Sequence, residues 1–272
     1  MSQLQKADAL RRLHDGPRVL VLANVWDVVS ARIVELTGAS AIATSSAAVA
    51  WAMGYLDGQR ISRDEMATVV ARIARRVAVP VTADMEAGYG PRPEDAAATA
   101  RAVVLAGAVG MNLEDAADDT DLLDQTLQVE RVRAAREAAE SAGVPIVINA
   151  RTDVFLAQVG DPPTRVAHAV RRLNAYREAG AGCLFCPGVT DAATIATLVR
   201  EINGPVNILA SAGAPNVAEL ERLGVRRVSL GARLMRGTLG AVRQIATELD
   251  GPGTYDVLTS LAVTDDINRL LP

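Results

Sequence analysis

The sequence predicts an α/β fold, a (β/α)8 barrel of the TIM type, and three observations carry that reading. Eight short apolar runs recur along the 272 residues, at 18–24, 39–46, 79–85, 108–115, 144–151, 181–188, 204–211 and 225–232. Most are apolar throughout, the pattern of strands buried on both faces of a parallel sheet. The amphipathic stretches between them end in glycine, where a helix would stop. A doubly wound open sheet is the competing arrangement. The count of eight favours the barrel, as does the lack of a G-x-G-x-x-G after the first run.

Taken in order, MSQLQKADALRRLHDG reads as a charged surface helix leading into RVLVLAN. VSARIVELTGA ends at Gly38 and hands over to ASAIATSS. VPVTADM is the third run, and AAATARAVVLAGA ends at Gly107 before AVGMNLED. RVRAAREAAESAG ends at Gly143 before VPIVINAR, and AHAVRRLNAYREAGA ends at Gly180 before AGCLFCPG. GPVNILAS is the seventh run, and VAELERLG ends at Gly224 before VRRVSLGA. Beyond Ala232 come a long helix, a Gly/Pro break at 251–253 and a short amphipathic tail. The expected division is a barrel over 1–235 and a helical extension over 236–272. The extension would cap the barrel bottom or pack on a partner subunit.

Composition removes several function classes. The formal net charge is -4, no basic run occurs and aromatics are 3%, so there is no nucleic-acid footprint. Lys6 is the one lysine among 28 basic residues, and it lies outside any expected pocket, which argues against Schiff-base chemistry. Cys183 and Cys186 stand three apart on a strand and face opposite ways, which fits small apolar residues better than a redox pair. With His14 and His168 the only histidines, a zinc site is disfavoured. His168, within a helix, reads as structural or solvated. The N-terminus lacks the apolar core of a signal peptide and no run reaches membrane length, so a soluble cytoplasmic protein is expected.

In a parallel barrel the chemistry sits at the C-terminal ends of the strands. Polar residues gather there: Asn24 and Asp27, Thr44, Ser45 and Ser46, Asp84 and Glu86, Asn112, Glu114 and Asp115, Asn149, Arg151 and Asp153, Asn207 and Ser211. Any single acid could be a helix N-cap or a solvated loop residue. Asp84, Glu86 and Glu114 together, on adjacent strands, would repel one another unless a cation stood between them. Oxygen donors suit Mg²⁺ or Mn²⁺. Arg151, with Ser45 and Ser46, would hold an anionic, oxygen-rich small molecule such as a 2-oxo acid.

The motifs NVWDVVSARIVELTGASAIATSS, AMGYLDGQRISRDEM, PVTADMEAGYG, GMNLED and VINARTDVF resemble the isocitrate lyase/phosphoenolpyruvate mutase superfamily. Weaker matches lie at LFCPGV and LGVRRVSLGARLM, and the set spans most of residues 20–235. The resemblance implies a Mg²⁺-dependent barrel whose C-terminal helices are exchanged between subunits of a homodimer or homotetramer. It implies that Asp57 and Asp84 bind the metal directly or through water, with Glu86 and Glu114 completing the outer shell. Ser45 and Ser46 would contact the substrate carboxylate and keto group, and Arg151 its far anionic end. Asp84 and Asn207 are further substrate-side candidates, and Asp57, Glu114 and Arg151 are the catalytic candidates. Glu86 departs from the aspartate common at that position.

Lyases of this superfamily carry a Lys-Lys-Cys-Gly-His type loop after the fourth strand. DAADDTDLLDQTLQVERVR has no cysteine, lysine, histidine or asparagine there. Decarboxylation of an oxaloacetate-like substrate needs least from that loop. The expected activity is cleavage of a C–C bond in a small 2-oxo or 2-hydroxy di- or tricarboxylate, oxaloacetate- or methylisocitrate-like. Two alternatives stay open: C–P chemistry on a phosphonopyruvate-like substrate, and binding of a 2-oxo acid without turnover. The acid run at 115–121 reads as a lid or as a solvated loop. Trp51 and Tyr55 read as loop packing or as a gate.

Overall fold

The computed structural model describes residues 1–116, 120–261 and 266–271. Nine parallel strands form one sheet: β1 (Leu20–Leu22), β2 (Asn24–Val25), β3 (Ile42–Thr44), β4 (Val81–Asp84), β5 (Gly110–Glu114), β6 (Val147–Arg151), β7 (Cys183–Phe185), β8 (Val206–Leu209) and β9 (Arg227–Ser229). Their spatial order is β1-β9-β8-β7-β6-β5-β4-β3-β2. The first predicted run, 18–24, divides at Ala23 into β1 and the start of β2, which extends one residue beyond it to Val25. One half pairs with β9 and the other with β3, so a single kinked segment closes the barrel.

The helices are α1 (Gln3–Asp15), α2 (Val28–Leu36), α3 (Ser46–Ala52), α4 (Arg63–Ala74), α5 (Pro93–Leu105), α6 (Gln125–Ser141), α7 (Arg165–Glu178), α8 (Ala192–Glu201), α9 (Val217–Arg222), α10 (Arg233–Asp250) and α11 (Asp256–Ser260). Helix ends follow the predicted glycines. Gly107 has φ 84° and Gly180 has φ 106°, left-handed conformations that stop a helix without a Cβ clash. Helices α3, α4 and α8 add to the segments read from periodicity. α4 starts on a full capping box at Ser62 and Glu65. α10 continues unbroken through residues 235 and 236.

Strands β3 to β7 are buried on both faces at nearly every position, which is why their sequences do not alternate. Leu22, Ile42, Met111, Ile148, Leu184 and Ile208 are fully buried. Each such side chain contributes about 1.5–3 kcal/mol by leaving water. A second set of strand residues is polar and buried. Thr82, Asp84, Asn112, Asn149, Asn207 and Arg227 are all under 10% exposed. Register sets Asp84 beside Asn112 and Asn112 beside Asn149. The barrel therefore carries a polar layer below its C-terminal rim. Cys183 and Cys186 are both buried free thiols.

Candidate active site

Asp84 ends β4 and is held by three donors. The Ser46 amide and hydroxyl reach one carboxylate oxygen at 3.0 and 2.9 Å, and Asn112 Nδ2 reaches the other at 2.9 Å. Asn149 Nδ2 in turn donates to Asn112 Oδ1 at 2.8 Å. The chain of amides fixes Asp84 from below and Ser46 fixes it from the side.

The turn after β4 explains the glycines of EAGYG. Glu86 and Tyr89 adopt φ 50° and 60°, rare for residues with a side chain and costing on the order of 1 kcal/mol each. At Gly90 a Cβ would sit 2.5 Å from the Asp95 carboxylate. Thr99 Oγ1 donates to the Gly88 carbonyl at 2.7 Å. The fully buried Arg131 guanidinium donates to the carbonyls of Ala87, Gly90 and Glu114, and so ties the ends of β4 and β5 together. The strained turn aims Glu86 inward, where it is 3% exposed. One Glu86 oxygen accepts from the Gln59 amide, and the other, Oε1, is buried with no partner among the described residues. Burial, reinforced by the charge of Asp84, pushes the Glu86 carboxyl up to about 7.

Glu114, at the end of β5, pairs with Arg151 Nη1 at 2.6 Å. Burial pushes its carboxyl up to about 8 although Arg151 opposes the shift. Asp153 clasps the same guanidinium in a fork, at 2.5 and 2.7 Å to Nε and Nη2. Burial alone would lower the Arg151 pKa, but Glu114 and Asp153 outweigh it and hold the cation firmly charged. Behind them Asp115, with no exposure, accepts from Thr152 Oγ1, the Asp153 amide, Arg172 Nε and Tyr176 OH at 2.7, 3.0, 2.8 and 2.6 Å. That network sets where Asp153 stands.

A cavity of 780 Å³ opens over these groups, lined by Ser46, Asp57, Arg60, Glu86, Glu114, Arg151 and Asp153 among others. Of the predicted residues, Ser46, Asp57, Glu86, Glu114 and Arg151 share it. Asp84 lies directly beneath, bonded to Ser46. Ser45 does not line it. Its hydroxyl caps α3 by accepting from the Ala48 amide at 3.4 Å. Asn207 does not line it either, because it lies fully buried in the polar layer and accepts from Ser229 Oγ at 3.0 Å. Asp153, Gln59 and Arg131 complete the site. Asp153 was visible at a strand end, whereas nothing in the local sequence marks Gln59 or Arg131. The acid run at 115–121 lies partly outside the described residues. Trp51 and Tyr55 are each 37% exposed, and the Tyr55 hydroxyl donates to Glu65 at 2.9 Å.

The four predicted acids do not form a closed metal cage. Among the described residues no three acidic, His or Cys side chains are grouped to hold an ion. The reason is local: three donors occupy Asp84 and Arg151 occupies Glu114. The donor set still fits Mg²⁺, which keeps several waters and takes only one or two carboxylates. Glu86 Oε1 offers the unpartnered oxygen such an ion needs.

A closed parallel barrel with acids and an arginine at the C-terminal rim defines a TIM-barrel enzyme. Residues 10–250 match the family model described as phosphoenolpyruvate phosphomutase. The chain belongs to that family, within the isocitrate lyase/phosphoenolpyruvate mutase superfamily of C–C and C–P bond enzymes. It is 30% identical over 264 residues to the oxaloacetate decarboxylase of Pseudomonas aeruginosa PAO1, covering 92% of this chain and 87% of that one. A Burkholderia cenocepacia J2315 structure described as a candidate lyase or mutase aligns with TM-score 0.91 and 38% identity, over 98% and 95% of the two chains. The structure of a 2,3-dimethylmalate lyase aligns with TM-score 0.81 and 27% identity, over 92% and 87%.

Proposed function

We propose that this enzyme is a Mg²⁺- or Mn²⁺-dependent lyase that breaks the C–C bond one carbon removed from the carbonyl, between its α and β carbons, of a small 2-oxo di- or tricarboxylate, with an oxaloacetate-like acid as the leading substrate. The observation that carries the reading is Glu86 Oε1, a buried carboxylate oxygen without a partner among the described residues, in a cavity that four acids and two arginines of those residues line. With its acids ionised, the described lining is two charges negative, so a dianionic substrate is repelled unless a divalent cation joins it. Glu86 and Asp84 stand nearest to that role, with Asp57 and Glu114 as outer partners through water. Bound there, the cation would offset the acids and draw electron density from the substrate carbonyl.

The chain's own groups do the rest. Ser46 and Asn112 keep Asp84 in one orientation, so its charge needs no rearrangement during turnover. Arg151, clasped by Glu114 and Asp153, is a fixed cation whose remaining N–H groups face substrate oxygens as charge builds on them. When the C–C bond breaks, its electron pair passes into an enolate, and a proton later returns to carbon. Among the described residues that line the mouth there is no thiol, lysine or imidazole. This favours decarboxylation, where the departing group leaves without an acid to protonate it. The exposed apolar face of α10, with Leu239, Val242 and Leu249, supports self-association of the chain as a homodimer or homotetramer.

The test is a substrate panel of oxaloacetate, methylisocitrate, 2,3-dimethylmalate and phosphonopyruvate, assayed with Mg²⁺ and with EDTA. Metal-dependent release of CO₂ from oxaloacetate is expected. Turnover of phosphonopyruvate alone, or undiminished activity in EDTA, would overturn the reading.

A further inference from the structure

Among the described residues two arginines line the mouth cavity, and they differ in one respect. Arg151 is committed: its guanidinium bonds Glu114 at 2.6 Å and Asp153 at 2.5 and 2.7 Å. Two carboxylates already outweigh its single charge. Arg60 makes no hydrogen bond or ion pair with any described residue. Its backbone is nonetheless anchored on both sides. The preceding Gln59 donates its amide to Glu86 and accepts from the Tyr89 amide at 2.6 Å, while the following Ile61 is fully buried. The Cα of Arg60 is therefore held at the rim while its side chain stays uncommitted.

Resting on the 2-oxo acid reading of this site, we infer that Arg60 determines specificity by taking the carboxylate at the far end of the substrate, the end away from the 2-oxo group. A second carboxylate entering an acid-lined cavity needs a cation whose charge is not already spent. Arg60 is the lining residue that meets this need among the described residues, and a guanidinium fork matches a carboxylate edge on. The substrate class follows: a 2-oxo acid with a second anionic group at the end away from the carbonyl.

The test uses the full-length enzyme with saturating Mg²⁺ and two probes in calorimetry. Oxalate presents only the short chelating end, and 3,3-difluorooxaloacetate adds the far carboxylate. In Arg60→Gln, affinity for difluorooxaloacetate is expected to fall about 30-fold or more, and affinity for oxalate by less than about 3-fold. Arg60→Lys, which keeps the charge but not the fork, is expected to recover part of the loss. If Arg60→Gln binds difluorooxaloacetate within about 2-fold of wild type, or loses both probes equally, the role of Arg60 is refuted while the site reading stands. If wild type binds neither probe with Mg²⁺, the site reading itself falls, and the assignment of Arg60 with it.

Discussion

Ser46 donates twice to one oxygen of Asp84, from its amide at 3.0 Å and from its hydroxyl at 2.9 Å. The first residue of α3 thereby fixes the carboxylate that ends β4. Ser46→Ala removes one of the two donors and leaves the helix intact. A hydrogen bond to a charged group is worth about 1.5–3 kcal/mol, so kcat/KM should fall about 10- to 100-fold. Steady-state assays on oxaloacetate check this, and an unchanged value would detach Asp84 from the chemistry.

Glu86→Gln keeps the side-chain shape and removes the charge next to the unpartnered oxygen. Mg²⁺ affinity is expected to weaken by about 10-fold or more, with Glu86→Asp between the two. Metal titration by calorimetry reads the effect directly. Wild-type affinity in Glu86→Gln would place the ion elsewhere.

Asp115 is buried among four donors, two of them from Arg172 and Tyr176 on α7. Asp115→Asn forces an amide hydrogen against one of those donors and leaves Arg172 short of a counter-charge. The expected destabilisation is about 3–5 kcal/mol. Urea denaturation measures it, and a cost under about 1 kcal/mol would show that the network can rearrange.

His14 is buried against the barrel bottom, with Nδ1 donating to the Leu10 carbonyl at 2.8 Å. Burial, aided by the Arg227 charge, lowers its pKa from 6.5 to about 4. The folded value lies below the unfolded one, so the unfolded chain binds the extra proton. The stability that neutral His14 supplies is complete above pH 6.5 and is lost as pH falls toward 4. Between pH 7 and pH 5 the loss is about 2 kcal/mol. His14→Leu should flatten the stability profile by that amount, and an unchanged slope would show that His14 does not titrate this way.

Helix α10 leaves Leu239, Val242 and Leu249 at 47%, 56% and 48% exposure. With Leu258 and Leu261 nearby in the chain, also 42% exposed, these form an apolar surface that a second copy would cover. Light scattering is expected to give a dimer or tetramer, and Leu239→Glu with Val242→Glu to shift it to monomer. A monomeric wild type would refute the assembly.

The family is legible in the sequence alone, because its motifs lie at strand ends in chain order. The barrel was legible from burial on both faces: a parallel strand covered by helices has no polar side to show, so eight apolar runs could be counted directly. The division of the first run at Ala23, which makes nine strands of eight runs, is the place where the sheet closes on itself. Asp84, Glu86, Glu114 and Arg151 were readable as polar residues where apolar runs stop. Their bonding was not. That Arg151 is shared by Glu114 and Asp153, that Ser46 rather than Ser45 meets Asp84, and that Asn207 lies below the mouth all depend on register between neighbouring strands. Arg131 reaches the Glu86 turn from a helix 44 positions along the chain from Ala87, and Gln59 reaches it from 27 positions before Glu86. Which residues are polar, and where strands end, is written locally and the sequence alone determined it. Which oxygen faces which donor is a matter of a few ångströms between segments distant in sequence, and only the folded barrel decided that.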